Sequence, residues 1–131
     1  MTATQGFIGF LVLTVGLIAL VVVTGLKAKR KRHLTLVLFT VVSLAVTIYW
    51  AEQLGEEYDL ESAGAITPVH LWMAKFTVAA YLLPVVTGLA TIKNPKRRKL
   101  HGKVAFFVLA MTLATFATGL WMILASQPLA S

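Results

Sequence analysis

Three histidines are the side chains of this sequence that are best suited to bind a metal or a cofactor. They are His33, His70 and His101, and each stands at the edge of a long apolar block. The sequence has no cysteine, which excludes disulfides, thiolate nucleophiles and cysteine metal sites. No acidic residue lies inside an apolar block, so paired intramembrane carboxylates are absent as well. The remaining chemistry is that of imidazole, a ligand of haem iron and copper.

Four apolar blocks carry or flank these histidines. The chain is 58% hydrophobic and 13% charged, whereas soluble domains are about half apolar and about a quarter charged. The blocks are Gly6–Leu26, Leu34–Ala51, Val69–Ile92 and Val104–Leu124. A hydrocarbon core of about 30 Å needs roughly 20 helical residues, and lipid offers the backbone no hydrogen bonds. The sequence therefore predicts an all-α integral membrane protein, a single transmembrane domain over residues 1–131. We expect an antiparallel up-down bundle of four helices over residues 6–26, 34–53, 68–92 and 101–124.

The distribution of charge predicts the orientation. Eleven of the twelve basic residues lie between the first and second blocks or between the third and fourth, around the predicted loops 27–33 and 93–100. All five acids lie in the predicted loop 52–67. Short basic loops stay on the cytoplasmic side, so both termini should face outward from a bacterial-type inner (cytoplasmic) membrane. The basic loops should contact anionic lipid. Nucleic-acid binding is disfavoured because no aromatic residues interleave with the charges.

A repeat is visible at the ends of the first and third helices. The pattern Val-Val-Thr-Gly-Leu occurs at Val22–Leu26 and again at Val85–Leu89. Each copy is followed by a basic run and a histidine, although His33 comes seven residues after its copy and His101 twelve. We therefore predict two similar helical hairpins.

The helical period places each histidine on a stripe of small and hydroxyl-bearing residues. Positions 4, 7, 11, 14 and 18 residues after a histidine share its face. They are Val37, Thr40, Leu44, Thr47 and Ala51 for His33; Ala74, Thr77, Tyr81, Pro84 and Gly88 for His70; and Ala105, Val108, Thr112, Thr115 and Gly119 for His101. Such residues mark helix–helix contacts in membranes, so we expect all three histidines to face the interior.

The predicted topology pairs two of the histidines. His33 and His101 begin outward-running helices, and in this bundle the second and fourth helices are diagonal. The two imidazoles should then face each other at the inner surface, which suits the axial ligation of one b-type haem. The propionates would be neutralised by arginines, namely Arg30, Arg32, Arg97 and Arg98. The alternative is that these are interfacial polar histidines with no cofactor.

The predicted outer ends of the second and third helices carry a second candidate metal site. His70, Glu52 and Met73 form a possible copper site, since imidazole and thioether ligands suit Cu(I). Thr67 and Pro68 look like the N-cap and first position of the third helix. Pro84 should kink that helix.

Short motifs also carry a resemblance to a known family. They are Lys31-Arg32-His33, Pro68-Val69-His70, Leu100-His101-Gly102-Lys103 and Thr118-Gly119-Leu120-Trp121. From about Lys29 to Leu124 the chain resembles small bacterial membrane proteins similar to the CtaM-type factors of haem–copper oxidase assembly. The resemblance implies a role in that assembly, with His33, His70 and His101 as functional residues. The layout is also similar to b-type membrane cytochromes, and since the first helix has no histidine, at most one such haem is implied.

These observations lead to a hypothesis about function. We expect a small membrane protein of respiratory redox biology, not a stand-alone enzyme, that binds one b-type haem or assists the assembly of a haem–copper oxidase. Its expected partners are the lipid bilayer and a respiratory oxidase or another membrane complex. The competing class is a non-catalytic accessory or scaffold subunit without a cofactor. A small transporter is disfavoured because the apolar blocks contain no acid.

Overall fold

Helices make up most of residues 1–130, the part of the chain that the computed structural model describes. They are α1 (Ala3–Leu26), α2 (Arg30–Gly55), α3 (Ile66–Ala80), α4 (Leu82–Lys93) and α5 (Arg98–Ala125). Taking α3 and α4 together, and α5 with the short turn before it, four helices are long and apolar enough to cross a membrane. The prediction of an all-α chain with four such helices is confirmed.

Polar residues are buried and apolar residues are exposed along these helices. The buried hydrophobic residues are Leu54, Val108 and Met122. The buried polar residues are more numerous: Thr14, Thr40, Ser43, Thr47, Thr67, Thr77 and Ser126. Large apolar side chains such as Phe76 and Phe107 lie outside, with about 60% of their surface accessible. This inverted distribution suits a hydrocarbon solvent, in which small and hydroxyl-bearing residues make the contacts between helices.

The helices start earlier than the apolar blocks. α2 begins at Arg30 and α5 at Arg98, so basic residues that we had placed in the loops form the first turns. Lysine and arginine are good helix formers, and the apolar block marks the extent of hydrocarbon rather than the end of the helix. α1 begins at Ala3 behind a capping box, in which the side chains of Thr2 and Gln5 bond to each other's backbone N–H.

The first compact unit, Met1–Tyr58, is a hairpin of α1 and α2. The hydroxyl of Thr14 lies 2.7 Å from that of Ser43 and 2.8 Å from that of Thr47. The three-residue connection is tight: Ala28 adopts the left-handed conformation with φ 53°, and the next residue returns a backbone hydrogen bond to the Thr24 carbonyl. This Schellman-type ending lets α2 begin almost at once.

The second compact unit, Asp59–Ser131, packs α3 and α4 against α5. The hydroxyls of Thr77 and Thr115 lie 2.8 Å apart, and the Tyr81 hydroxyl lies 2.7 Å from that of Thr112. These two pairs show that α3 and α5 run antiparallel, since the residue number increases along the α3 side from one pair to the next while it decreases along α5. The described residues also include two short strands, β1 (Tyr58–Asp59), which spans the boundary between the units in the chain, and β2 (Gln127–Pro128).

The helix of the third apolar block is interrupted close to its proline, and the predicted kink stays a prediction. α3 ends at Ala80 and α4 begins at Leu82, so the helix is interrupted at Tyr81. Pro84 has no N–H to donate to the carbonyl of Ala80, and its ring crowds that carbonyl.

The predicted start of α3 was wrong by two residues. The helix begins at Ile66 behind Ala65, which makes no side-chain cap. Thr67 instead lies inside the first turn, and its hydroxyl donates to the Leu60 carbonyl in the 3₁₀ turn Leu60–Ala63. Because the helix has already begun at Ile66, Thr67 cannot be its N-cap, and its hydroxyl instead ties the preceding turn to the helix. Pro68 is tolerated because the N–H groups of the first turn have no partner within the helix.

Candidate functional site

The three predicted histidine stripes are the packed faces of their helices. Every position of the stripes is buried or half-buried except Ala51, and the histidines themselves are half-buried. Each imidazole therefore lies on the face of its helix that packs against a neighbouring helix of the same unit. That all three face one common bundle interior stays a prediction. The hydroxyl pairs of both units fall on these same stripes, since they include Thr47, Thr77 and Thr115.

His33 sits in a socket on the neighbouring helix. It is the fourth residue of α2, and the end of α1 lies directly opposite because the connection is so short. Its Nδ1 lies 3.0 Å from the Val21 carbonyl oxygen and 3.5 Å from the Thr24 hydroxyl. The ring packs on Gly25, where an added Cβ would approach it to 3.1 Å.

His101 occupies the equivalent socket in the second unit. It is the fourth residue of α5, and its Nδ1 lies 3.1 Å from the Thr87 hydroxyl. The ring packs on Gly88, where an added Cβ would come within 3.2 Å. His101 follows its copy of the motif at a greater distance than His33 does. The difference arises because α4 continues one turn beyond its copy of the motif, to Lys93, whereas α1 ends at the last residue of its own copy.

His70 makes the same kind of contact at the opposite end of the second unit. Its Nδ1 lies 3.1 Å from the hydroxyl of Thr118 on α5. The ring packs on Gly119, and an added Cβ there would come within 2.7 Å of Cε1. The first unit has a different ring at its corresponding end, where Trp50 covers Gly6. Each hairpin is thus closed at both ends by a ring seated on a glycine.

The repeat in the sequence predicts only two of the three sockets. Threonine and glycine are followed by leucine at Thr24–Leu26, Thr87–Leu89 and Thr118–Leu120, and each triplet receives one imidazole. The third copy was visible as the same triplet. Its histidine lies before it in the chain rather than after it, so a search for a repeated order of motifs misses it.

The residues proposed for haem lie in the two units. Arg30 and Arg32 are exposed on the first turn of α2, Arg97 precedes α5, and Arg98 begins it. Arginine thus begins α2 and α5 alike, three residues before the histidine. The pairing of His33 with His101 stays a prediction.

The residues predicted to bind copper with His70 differ in their exposure. Glu52 is exposed near the end of α2, and Met73 is half-buried one turn after His70. Among residues 1–130, no three histidine, aspartate or glutamate side chains are grouped closely enough to hold a metal ion. A site that uses methionine falls outside that criterion, so copper binding at His70 also stays a prediction.

Comparison with protein-family models, with curated proteins and with solved structures finds no match to this chain.

Proposed function

We propose that this protein crosses the bacterial inner membrane four times and serves respiratory redox biology by holding one b-type haem, which His33 and His101 would bind. The observation that carries the proposal is that each of these histidines is the fourth residue of its helix and that its ring packs on the glycine of a Thr-Gly-Leu triplet in its own unit. In each case Nδ1 is engaged by the protein itself. Ligating histidines are usually held through their other ring nitrogen in this manner, so Nε2 is the nitrogen to which iron would bind. Bound haem would supply reversible one-electron transfer between ferric and ferrous iron.

The surrounding charge suits the same cofactor. Haem propionates need cationic partners, and guanidinium groups bind carboxylates with two parallel hydrogen bonds. In each unit two arginines lie at the start of the helix that carries the histidine: Arg30 and Arg32 in α2, and Arg97 and Arg98 at the start of α5. Cytoplasmic orientation of these basic ends follows from the positive-inside rule.

A haem site of this kind is also compatible with a role in oxidase assembly. A protein that delivers haem must hold it and release it, and a site near the end of a helix is easier to leave than one buried at the bilayer centre. The expected partner would then be a haem–copper oxidase subunit in the same membrane.

The first test is the absorption spectrum of the detergent-purified protein, oxidised and then reduced with dithionite, before and after addition of hemin. We expect a Soret band, a sharp reduced α-band and one haem per chain. His33→Asn and His101→Asn should each abolish this spectrum. Asparagine keeps an amide N–H close to the position of Nδ1 but has nothing in place of Nε2, so the socket is retained while the ligand is lost. His70→Asn makes the same change in the socket at the other end and should leave the haem bound. Haem bound by His33→Asn and by His101→Asn as well as by the wild-type protein would refute the assignment.

A cofactor-free scaffold subunit is the second candidate, and the sockets themselves favour it. Each imidazole already has a structural role, because it fills the space above a glycine and joins two helices. If the protein is a scaffold subunit, we expect it to be colourless and to bind no haem after hemin is added. We also expect the asparagine variants to assemble with the complex that co-purifies with the wild-type chain, because asparagine retains the hydrogen bond that joins the two helices.

A further inference from the structure

The three threonines of the sockets use their hydroxyl protons in the same way. The hydroxyl of Thr24 donates to the Leu20 carbonyl at 2.8 Å, and that of Thr87 donates to the Leu83 carbonyl at 2.8 Å. Thr118 does the same towards Ala114 at 3.0 Å. In all three cases the acceptor is the carbonyl four residues earlier in the threonine's own helix.

Because each hydroxyl proton is already donated to a carbonyl, the hydroxyl can act only as a hydrogen-bond acceptor towards the imidazole. A hydroxyl has one proton but two lone pairs. With the proton given to a carbonyl, the oxygen can only accept from the ring, so the ring must donate from Nδ1. For His33 the same conclusion follows independently, since its Nδ1 lies 3.0 Å from the Val21 carbonyl, which can only accept.

We infer that Thr87, and to a smaller extent Thr24, are positioning residues that hold His101 and His33 as the tautomer with the proton on Nδ1. Nε2 then carries the lone pair and is the ligating nitrogen. Donation from Nδ1–H also raises the electron density on Nε2, which makes the imidazole a stronger ligand. The part of this inference that concerns haem rests on the proposed function, whereas the tautomer does not.

The two sockets should differ in their dependence on threonine. His33 has the Val21 carbonyl as its nearer acceptor, with the Thr24 hydroxyl at 3.5 Å. His101 has the Thr87 hydroxyl at 3.1 Å. Replacing threonine by valine removes the hydroxyl with little change of shape. The Thr87 hydroxyl lies closer to its imidazole than the Thr24 hydroxyl does, so Thr87→Val should disturb its histidine more than Thr24→Val.

The tautomer can be measured without any cofactor. The chain has only three histidines, so protein labelled with ¹⁵N-histidine gives three sets of ring signals in detergent, and long-range ¹H–¹⁵N correlations report which ring nitrogen is protonated. We expect all three rings of the wild-type protein to be protonated at Nδ1. Thr87→Val should shift the His101 signals towards the other tautomer, Thr87→Ser should restore them, and Thr118→Val should affect only His70. Protonation of His101 at Nε2 in the wild-type protein would overturn the inference whether or not haem binds.

The haem-loaded protein gives the second readout. Loss of a hydrogen-bond partner of a ligating histidine typically weakens metal binding by about 10–100-fold. We therefore expect Thr87→Val to weaken haem binding by about that factor and to raise the midpoint potential, since a weaker donor stabilises ferric iron less. Thr77→Val is the matched control, because it also removes one interhelical hydroxyl contact of the second unit but touches no histidine. Equal effects of the two variants would overturn the positioning role. If the wild-type protein shows the expected tautomers but binds no haem, the proposed function fails and the tautomer assignment stands.

Discussion

Gly6 and Gly119 are positions at which one added methyl group should loosen a hairpin. A Cβ on Gly6 would lie 2.3 to 2.7 Å from three ring atoms of Trp50, and one on Gly119 would lie 2.7 Å from Cε1 of His70. Neither distance is compatible with van der Waals contact, so the ring or the helix must move. Gly9 is the matched control for Gly6, since it lies one turn later on α1 and an added Cβ would meet nothing within 4 Å.

The expected magnitudes follow from two opposing effects. Forcing an extra carbon into a packed contact costs about 1–3 kcal/mol, and the Gly6 contact with the body of an indole ring should lie near the upper limit. Alanine is favoured over glycine in a helix by about 1 kcal/mol, which applies to every position. We therefore expect Gly6→Ala to lower the free energy of unfolding by about 2 kcal/mol, roughly a thirtyfold change in the equilibrium constant. Gly119→Ala should lower it by about 1 kcal/mol, and Gly9→Ala should raise it by up to about 1 kcal/mol.

The measurement is unfolding by SDS in mixed micelles, followed by far-ultraviolet circular dichroism and by tryptophan fluorescence. Gly6→Ala should shift the midpoint to lower SDS and also change the emission of Trp50, since the indole is displaced. The comparison with Gly9→Ala removes the effect of helix propensity. If the two alanine variants are equally stable, the close seating of Trp50 on α1 is not what holds the first hairpin together and the reasoning fails.

Three other predictions follow from the fold. Thr14→Val removes a hydroxyl that lies 2.7 and 2.8 Å from two hydroxyls of α2, so it should cost about 1 kcal/mol in the same SDS assay, whereas Tyr81→Phe loses only the contact with Thr112 and should cost about 0.6 kcal/mol. Unchanged midpoints would show that these hydroxyl pairs do not stabilise the helix contacts. Ala28→Gly should raise stability by up to about 1 kcal/mol, because Ala28 has a φ of 53° that glycine adopts without steric cost; a lower midpoint would contradict the tight turn. Alkaline phosphatase fused to either terminus should be active and phosphatase fused into either basic connection should not be, and the reverse pattern would refute the predicted orientation.

The amphipathic stripes were predictable because they depend only on helical period. Once a block is helical, the residues that share a face with His101 are fixed, and Val108, Thr112 and Thr115 are indeed the packed side of α5. The interruption before Pro84 was predictable for the same reason, since a missing N–H acts within its own helix. Both features are local consequences of sequence.

The partners of the histidines were not predictable in this way. Nothing in the sequence of α1 says that Thr24 and Gly25 lie beside His33, because that contact depends on how tightly the connection turns at Ala28. Likewise, the Thr67 hydroxyl bonds to the Leu60 carbonyl and not to its own helix, which depends on how the 3₁₀ turn is placed.

The sequence by itself determined the class of this protein: four apolar helices, basic and acidic connections of opposite charge, and imidazole as the available ligand. These follow from composition and period, which need no knowledge of the neighbouring helix. Only the tertiary structure decided that each hairpin is closed by rings seated on glycines and that three Thr-Gly-Leu triplets receive the three histidines through Nδ1. The physical reason is that a hydrogen bond between helices depends on their separation and rotation, and close approach at a glycine is set by both helices together.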